Sequence, residues 1–280
     1  MLKYWLWLAT RKGLGLQTIY TVARSFSDVE QAYRATPEQY KEFAGLSRSG
    51  SLSDKDLTEA ERILRRCEQA DIRIVTLLDA EYPKMLRTMP DAPIVLYYKG
   101  TLPDADRPAV AVIGSRDLYE GNRHFAEQAG YQIAKQGYVL VSGNARGADK
   151  TAQNACLEAG GQVISVVADS MQKQPLTRNV LWLSLDDFDQ EFSAQRALRR
   201  NHIIHALAQL TIAAQCTLGK GGTWDGICSN LKNAWNPVCI FADGSDAAIE
   251  LENRGVQTIT ADDLQNLVTL TCQNPSFIQE

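Results

Sequence analysis

No Cys-x-x-Cys pair occurs among the six cysteines, and only three histidines, His124, His202 and His205, accompany them. Most of the cysteines lie inside apolar stretches, where a free thiol behaves as a small hydrophobe. A disulfide framework and a Cys/His metal site are therefore both excluded as readings. No apolar run approaches the roughly 18 residues that a membrane span needs. Residues 1–12 are apolar for only a few positions and lack a small-residue cleavage pattern, so they read as a first core helix of a cytoplasmic protein. Excess positive charge is also missing: the net charge is −4 and the pI about 5.5. A globally basic nucleic-acid binder is excluded. A local basic pocket is not, because phosphate contacts act within a Debye length of ~10 Å. What is present is an ordinary globular composition, 280 residues at 45% hydrophobic and 22% charged, enough for one large domain or two ordinary ones.

The charge is divided unevenly. Residues 1–103 carry 15 Lys and Arg against 13 Asp and Glu, and the remainder carry 14 against 20. The first part, residues 1–70, reads as short helices. Apolar residues recur at helical spacing at Ile19, Val22, Ala23 and Phe26, and again at Leu57, Ala60, Ile63 and Leu64. Gly13 and Gly15 break the first helix from the second. Thr36-Pro37-Glu38 fits an N-cap with proline at the first helical position. Residues 53–56 open a long charged helix ending near Ala70. Residues 71–107 read as a connector with short strands at 72–77 and 94–98, and 101–108 as a linker.

From residue 108 the pattern changes. Residues 108–113 form a near-continuous apolar run ending at Gly114, as a doubly buried parallel strand does. A helical stretch follows at 122–136. The run-then-glycine pattern repeats at 138–143, before helical residues 148–159 and the stop signal Gly160-Gly161. Further strands are expected at 162–167, 209–214, 237–241 and 256–259, with a last helix after Asp262. Strands alternating with helices predict right-handed βαβ units. The fold class is α/β: a Rossmann-like domain over 108–280 with a largely parallel sheet, behind a small helical domain.

Ligands of such sheets bind at the carboxyl ends of the strands. Three strands end in glycine-containing loops: Gly114-Ser115-Arg116; Ser142-Gly143 through Arg146-Gly147; and Gly219-Lys220-Gly221-Gly222-Thr223-Trp224. Glycines let a backbone approach a phosphate and present N–H donors. The following helices add their positive N-termini. Ser115, Ser142 and Thr223 offer hydroxyls, and Arg116 and Arg146 offer planar forks that match phosphate. The competing reading is that βα turns need glycine for geometry alone. A fourth segment places Arg196, Arg199 and Arg200 at i,i+3 and i,i+4 spacing, followed by Asn201 and His202. It reads either as part of the same rim or as a solvated face balancing Asp186, Asp187, Asp189 and Glu191. Trp224 and Tyr119 are the candidates for stacking on bases, Trp224 alternatively a core residue.

Gly114-Ser-Arg116, then Ser142 through Asp149, then Arg200-Asn-His-Ile-Ile204, in this order and spacing, resemble the DNA-processing protein A (DprA/Smf) family. Glu81-Tyr-Pro83, Pro93 and Leu96 through Gly100 resemble the segment that leads into the family's Rossmann-like domain. The resemblance implies a SAM-like N-terminal domain and an extended Rossmann domain. It also implies a dimer that binds single-stranded DNA without nucleotide hydrolysis, metal or cofactor, and passes it to a RecA-type recombinase during transformation. The motifs matched point to Arg116, Ser142, Gly143, Arg146, Arg200 and Asn201. His202 stands where the family has a second arginine. Asn144 and Ala148 also depart from its pattern.

The alternative is a nucleotide-derivative protein or phosphoribohydrolase, similar to the LOG type through Gly219–Trp224. Here the acid of that signature is replaced by Gly226, and Asp225 stands one residue short. A nicotinamide-dependent oxidoreductase is excluded, because the first loop is not GxGxxG and no acid ends the second strand. Nucleophilic catalysis has no ordered His and acid partner.

Overall fold

The computed structural model describes residues 1–46, 50–104, 107–185, 188 and 190–272. Five helices come first: α1 (Leu2–Ala9), α2 (Leu16–Ser25), α3 (Val29–Arg34), α4 (Pro37–Ala44) and α5 (Thr58–Gln69). The expected cap at α4 is present. Thr36 Oγ1 accepts from Gln39 N–H, and Gln39 Oε1 accepts from Thr36 N–H at 2.9 Å. The charged helix α5 starts later than residues 53–56 suggest. Asp56 Oδ1 instead accepts from Thr58 N–H (2.9 Å) and Thr58 Oγ1 (2.7 Å), closing a turn ahead of the helix.

Nine strands form one sheet: β1 (Arg73–Thr76), β2 (Val95–Lys99), β3 (Ala109–Ile113), β4 (Val139–Ser142), β5 (Gln162–Val166), β6 (Val180–Ser184), β7 (Leu210–Ala213), β8 (Val238–Phe241) and β9 (Gln257–Ile259). Their spatial order is β1-β2-β6-β5-β4-β3-β7-β8-β9. From β6 to β9 every pair is parallel. The helices between them are α6 (Glu120–Lys135), α7 (Ala148–Glu158), α8 (Ala194–Ala206), α9 (Gly221–Asn233) and α10 (Asp246–Asn253), with α11 (Leu267–Cys272) last. Among the described residues no helix is long and apolar enough to cross a membrane.

Strand β6 was not among the expected strands, and it changes the architecture. It pairs antiparallel with β2, which pairs antiparallel with β1. The strands expected inside a connector are therefore the edge of the same sheet. The helical layer shares its core as well: Trp7, Tyr40 and Leu52 belong to one apolar cluster with Tyr97, Leu181 and Ile203.

The two faces of β3 explain its unbroken apolar run. Val110 and Val112 pack with Phe125 and Ala152 under α6 and α7. Ala109, Ala111 and Ile113 face the opposite layer. Helices α6 and α7 approach so closely that a Cβ on Gly130 would stand 2.1 Å from the carbonyl oxygen of Ala152. Gly130→Ala is accordingly expected to destabilise the protein by about 1–3 kcal/mol despite alanine's better helix propensity. Urea unfolding of the two proteins checks this, and an unchanged midpoint would contradict the packing.

Candidate functional site

The loops after β3, β4 and β7 meet on one rim of the sheet. With α8 and the first turns of α9 they bound a cleft of about 840 Å³. Gly114, Ser115 and Arg116 line it from the first loop, and Lys220, Gly221, Gly222 and Thr223 from the third. The first two loops touch. Ala148 N–H donates to Ser115 O (3.2 Å), and a Cβ on Gly114 would stand 2.6 Å from that of Ala148. Gly147 adopts φ +89°, and a Cβ there would meet Ser115 O at 2.2 Å. Both glycines are thus demanded by close backbone approach.

A residue without a motif to mark it pins the first loop. Gln215 follows β7, its Oε1 accepts from Tyr119 N–H (2.9 Å), and its Nε2 donates to Asp117 O (3.0 Å). Its own carbonyl accepts from Ser115 N–H at 3.1 Å.

The second loop is held from beneath rather than left open to a ligand. Asp149 is buried, and its Oδ2 accepts from the N–H groups of Gly143 (3.0 Å) and Ala145 (3.3 Å). Arg200 is buried as well. Its Nη1 donates to the carbonyls of Gly143 and of Val166, the latter at 2.8 Å. A Cβ on Gly143 would fall 1.9 Å from that nitrogen, so Gly143 makes room for the guanidinium. Burial pushes the Asp149 carboxyl above its ordinary value, opposed by Arg200 and by the two amide donors.

Several expected ligand groups are therefore corrected. Ser142 is fully buried and its Oγ donates to Val112 O (3.0 Å), so it presents no hydroxyl to the cleft. Arg200 lines the cleft wall with its guanidinium committed to the main chain. Arg146 is exposed and ion-paired with Asp117 at 2.8 Å, outside the lining.

The packing of α8 corrects the rest of the basic segment. Besides Arg200, the helix lines the cleft with Ala194, Ala197, Leu198, Asn201, Ile204 and His205, and with neither Arg199 nor His202. Arg199 borders a separate groove with Arg11 and Tyr97. His202 packs against Trp235, ring centroids 4.9 Å apart, and burial lowers its pKa. Arg196 donates to Glu191 O at 2.7 Å. Asp186, Asp187 and Asp189 lie outside the described residues. Asn201 does reach the cleft, and its Nδ2 donates to Gly222 O at 3.1 Å.

Of the aromatic candidates, Trp224 is buried beneath the Arg254 guanidinium, 5.0 Å from its ring, and offers no platform. Tyr119 is 75% exposed at the cleft. Phe192 joins it, 53% exposed, with the Arg116 guanidinium 5.8 Å from its ring centre. Phe192 is a single aromatic between undistinguished residues, and nothing in its sequence context sets it apart.

Two expectations follow. Arg200→Ala leaves a buried carboxylate without its cation and should cost about 3–5 kcal/mol, whereas Arg146→Ala on the surface should change stability by less than about 0.5 kcal/mol. Equal urea midpoints for the two variants would contradict the clasp. Separately, burial holds His205 neutral, its pKa pushed down to about 3. Unfolded, it titrates near ~6.5, so between these values the unfolded state binds a proton that the folded state refuses. Stability should fall as pH drops through that window, by up to about 1.4 kcal/mol per unit from this group. His205→Gln should flatten the profile by that amount.

The sequence profile of the DNA recombination-mediator protein A family matches residues 73–263. Protein Smf of Synechocystis is 27% identical over 175 residues, 60% of this chain and 44% of that protein. DNA processing protein DprA of Streptococcus pneumoniae is 38% identical over 96 residues, 34% of each. These matches span less than half the length of either relative. Among solved structures, that of the Streptococcus pneumoniae DprA is similar in fold at a TM-score of 0.78, with 23% identity, over 96% of this chain and 98% of that one. DprA from Helicobacter pylori, whose structure is described as revealing a unique single-stranded DNA binding mode, is similar at a TM-score of 0.60. It is 27% identical and covers 71% of this chain and 96% of that one. With two thirds of its length inside the family profile, the chain belongs to the DNA recombination-mediator protein A family.

Proposed function

We propose that this protein is a recombination mediator that binds single-stranded DNA in the cleft, as a non-enzymatic, cytoplasmic homodimer that passes the strand to a RecA-type recombinase. The observation that carries the reading is the arrangement of the cleft mouth. Arg116 and Lys220 stand on two separate glycine loops, with Tyr119 and Phe192 exposed beside Arg116. Cations that track phosphates and aromatic faces that accept any base are what sequence-tolerant binding of a single strand requires. An unpaired strand can present both; a duplex keeps its base faces stacked. The binding described for the Helicobacter pylori relative supports the same reading.

Asp225, the carboxylate of the nucleotide-hydrolase alternative, also lines the cleft. Of the two other acids that line it, Asp149 is committed to the amides of Gly143 and Ala145 and Asp117 is ion-paired with Arg146, so neither stands ready as the second group of glycosidic cleavage.

Fluorescence anisotropy with labelled oligo-dT tests the reading. Arg116→Ala should weaken binding several-fold and reduce the slope of log K against log salt by about 0.7, the value for one phosphate contact on a single strand. Arg199→Ala, on the other face of α8, should leave the slope unchanged. Parent-like binding by Arg116→Ala would contradict the site. Competition by AMP with release of its base would favour the hydrolase instead.

A further inference from the structure

At the closed end of the cleft, α8 and α9 meet across Asn201, His205, Gly222 and Gly226. His205 is fully buried there in a polar network whose hydrogen positions can be worked out. Asn236 Nδ2 donates to the main-chain carbonyls of His205 and of Ala208, the latter at 2.9 Å. Only an amide NH2 satisfies two carbonyls, so Asn236 Oδ1 faces the other way. It accepts from Thr211 Oγ1 (3.0 Å) and from Asn230 Nδ2 (2.8 Å). Asn230 is fixed independently, because its Oδ1 accepts from Asn236 N–H at 3.1 Å. Its second Nδ2 hydrogen then points at His205 Nδ1, 3.1 Å away. Thr211 Oγ1 also lies 3.0 Å from Nδ1, and its one hydrogen can turn to Nδ1 or to Asn236 Oδ1, whereas the Asn230 hydrogen is fixed; Nδ1 is therefore the acceptor, and the ring proton sits on Nε2.

That Nε2–H has no partner. A buried donor left unmet is costly, and natural networks of this kind are normally complete. Every other polar atom traced in this network is paired. The orphan faces Gly226, where a Cβ would stand 3.0 Å from Nε2. Glycine in a helix interior is unfavourable, and at Gly226 φ is not positive, so backbone conformation does not demand it.

The geometry points to a base-reading site: His205 Nε2–H is a neutral hydrogen-bond donor for a carbonyl oxygen of a nucleobase inserted between α8 and α9. The inference rests on the single-strand reading and deepens it. The charges are placed for this orientation. Arg116 and Lys220 lie at the mouth, where phosphates stay hydrated, and the neutral amide of Asn201 and the neutral imidazole lie within. A phosphate buried beside an uncharged imidazole would lack a counter-charge, whereas a base carbonyl needs only a donor. Nε2 is covered in this conformation, so the first turns of α9 must part from α8 as the base enters. Gly219 and Gly221, both at positive φ, are the hinge at the start of that helix.

Two measurements test it. Long-range ¹⁵N NMR of the parent protein should show the ring proton of His205 on Nε2, and its resonance should move on saturation with oligo-dT. Anisotropy should then compare oligo-dT with an abasic oligomer carrying the same number of phosphates. Gly226→Ala, which caps Nε2 and leaves the network intact, should weaken oligo-dT binding about five- to tenfold and abasic binding less than about twofold. A proton on Nδ1, a resonance unmoved by oligo-dT, or equal changes for both oligomers would overturn the inference. If the parent binds neither oligomer, the single-strand reading itself fails; if it binds both and the imidazole is silent, only this inference does.

Discussion

The rim of the cleft depends on two buried opposite charges, Arg200 and Asp149. Arg200 reaches from α8 to the carbonyls of Gly143 and Val166, and Asp149 reaches back from α7 to the amides of Gly143 and Ala145. Together they tie two helices and the ends of β4 and β5 to a single glycine. Burying two charges is expensive; the main-chain partners of Arg200 Nη1 and Asp149 Oδ2 offset part of that cost, while Arg200 Nε has no partner. The neighbouring constraints follow from the pair. Once Gly143 is fixed, the loop returns at Gly147 in a conformation that only glycine adopts readily, and it lands against Ser115. The first loop is then held from below by Ala148 and from the side by Gln215. The first two loops of the rim are thus set by the protein's own contacts.

Much of this was legible in the sequence. The runs ending at Gly114 and Gly143 placed two strands and two loops correctly, because a strand buried on both faces leaves a continuous apolar signature. Thr36-Pro37 marked a helix start for the same kind of local reason. Strand β6 went unread. Its four apolar residues, Val180 to Leu183, stand alone, with no glycine stop and no helical stretch ahead of them to signal a βαβ unit. Its partner β2 lies about eighty residues earlier, and such long-range pairing has no local signal.

The residues around the cleft were legible as a group but not in their contacts. Glycine loops identify where chains approach closely, and that holds whether the close neighbour is a phosphate or an arginine. At Gly143 it is an arginine; the third loop stands open at the cleft. Ser142 illustrates the same ambiguity, since a hydroxyl at a strand end serves a ligand or a neighbouring carbonyl equally well. Here it serves Val112. Periodicity grouped Arg196, Arg199 and Arg200 by spacing, but which residues of α8 meet the cleft depends on how the helix packs in the fold, which spacing alone does not give.

This division of α8 limits how the cleft can work. With Arg199 and His202 outside the lining, Arg200 buried and Arg146 paired to Asp117, the open cations lining the cleft among the described residues are Arg116 and Lys220. If the cleft holds a single strand as proposed, two phosphate contacts would give a shallow salt dependence, far short of what a protein making many such contacts shows. On a chain of net charge −4, long-range attraction cannot make up the difference. On that reading, affinity would come instead from surface that does not rely on charge: the exposed faces of Tyr119 and Phe192, and neutral donors such as Asn201. Stacking contributes about 1–3 kcal/mol per base and is largely indifferent to salt. On the proposed reading, a cleft built this way would favour strands whose bases are free to turn inward and would discriminate against duplex DNA by geometry rather than by charge.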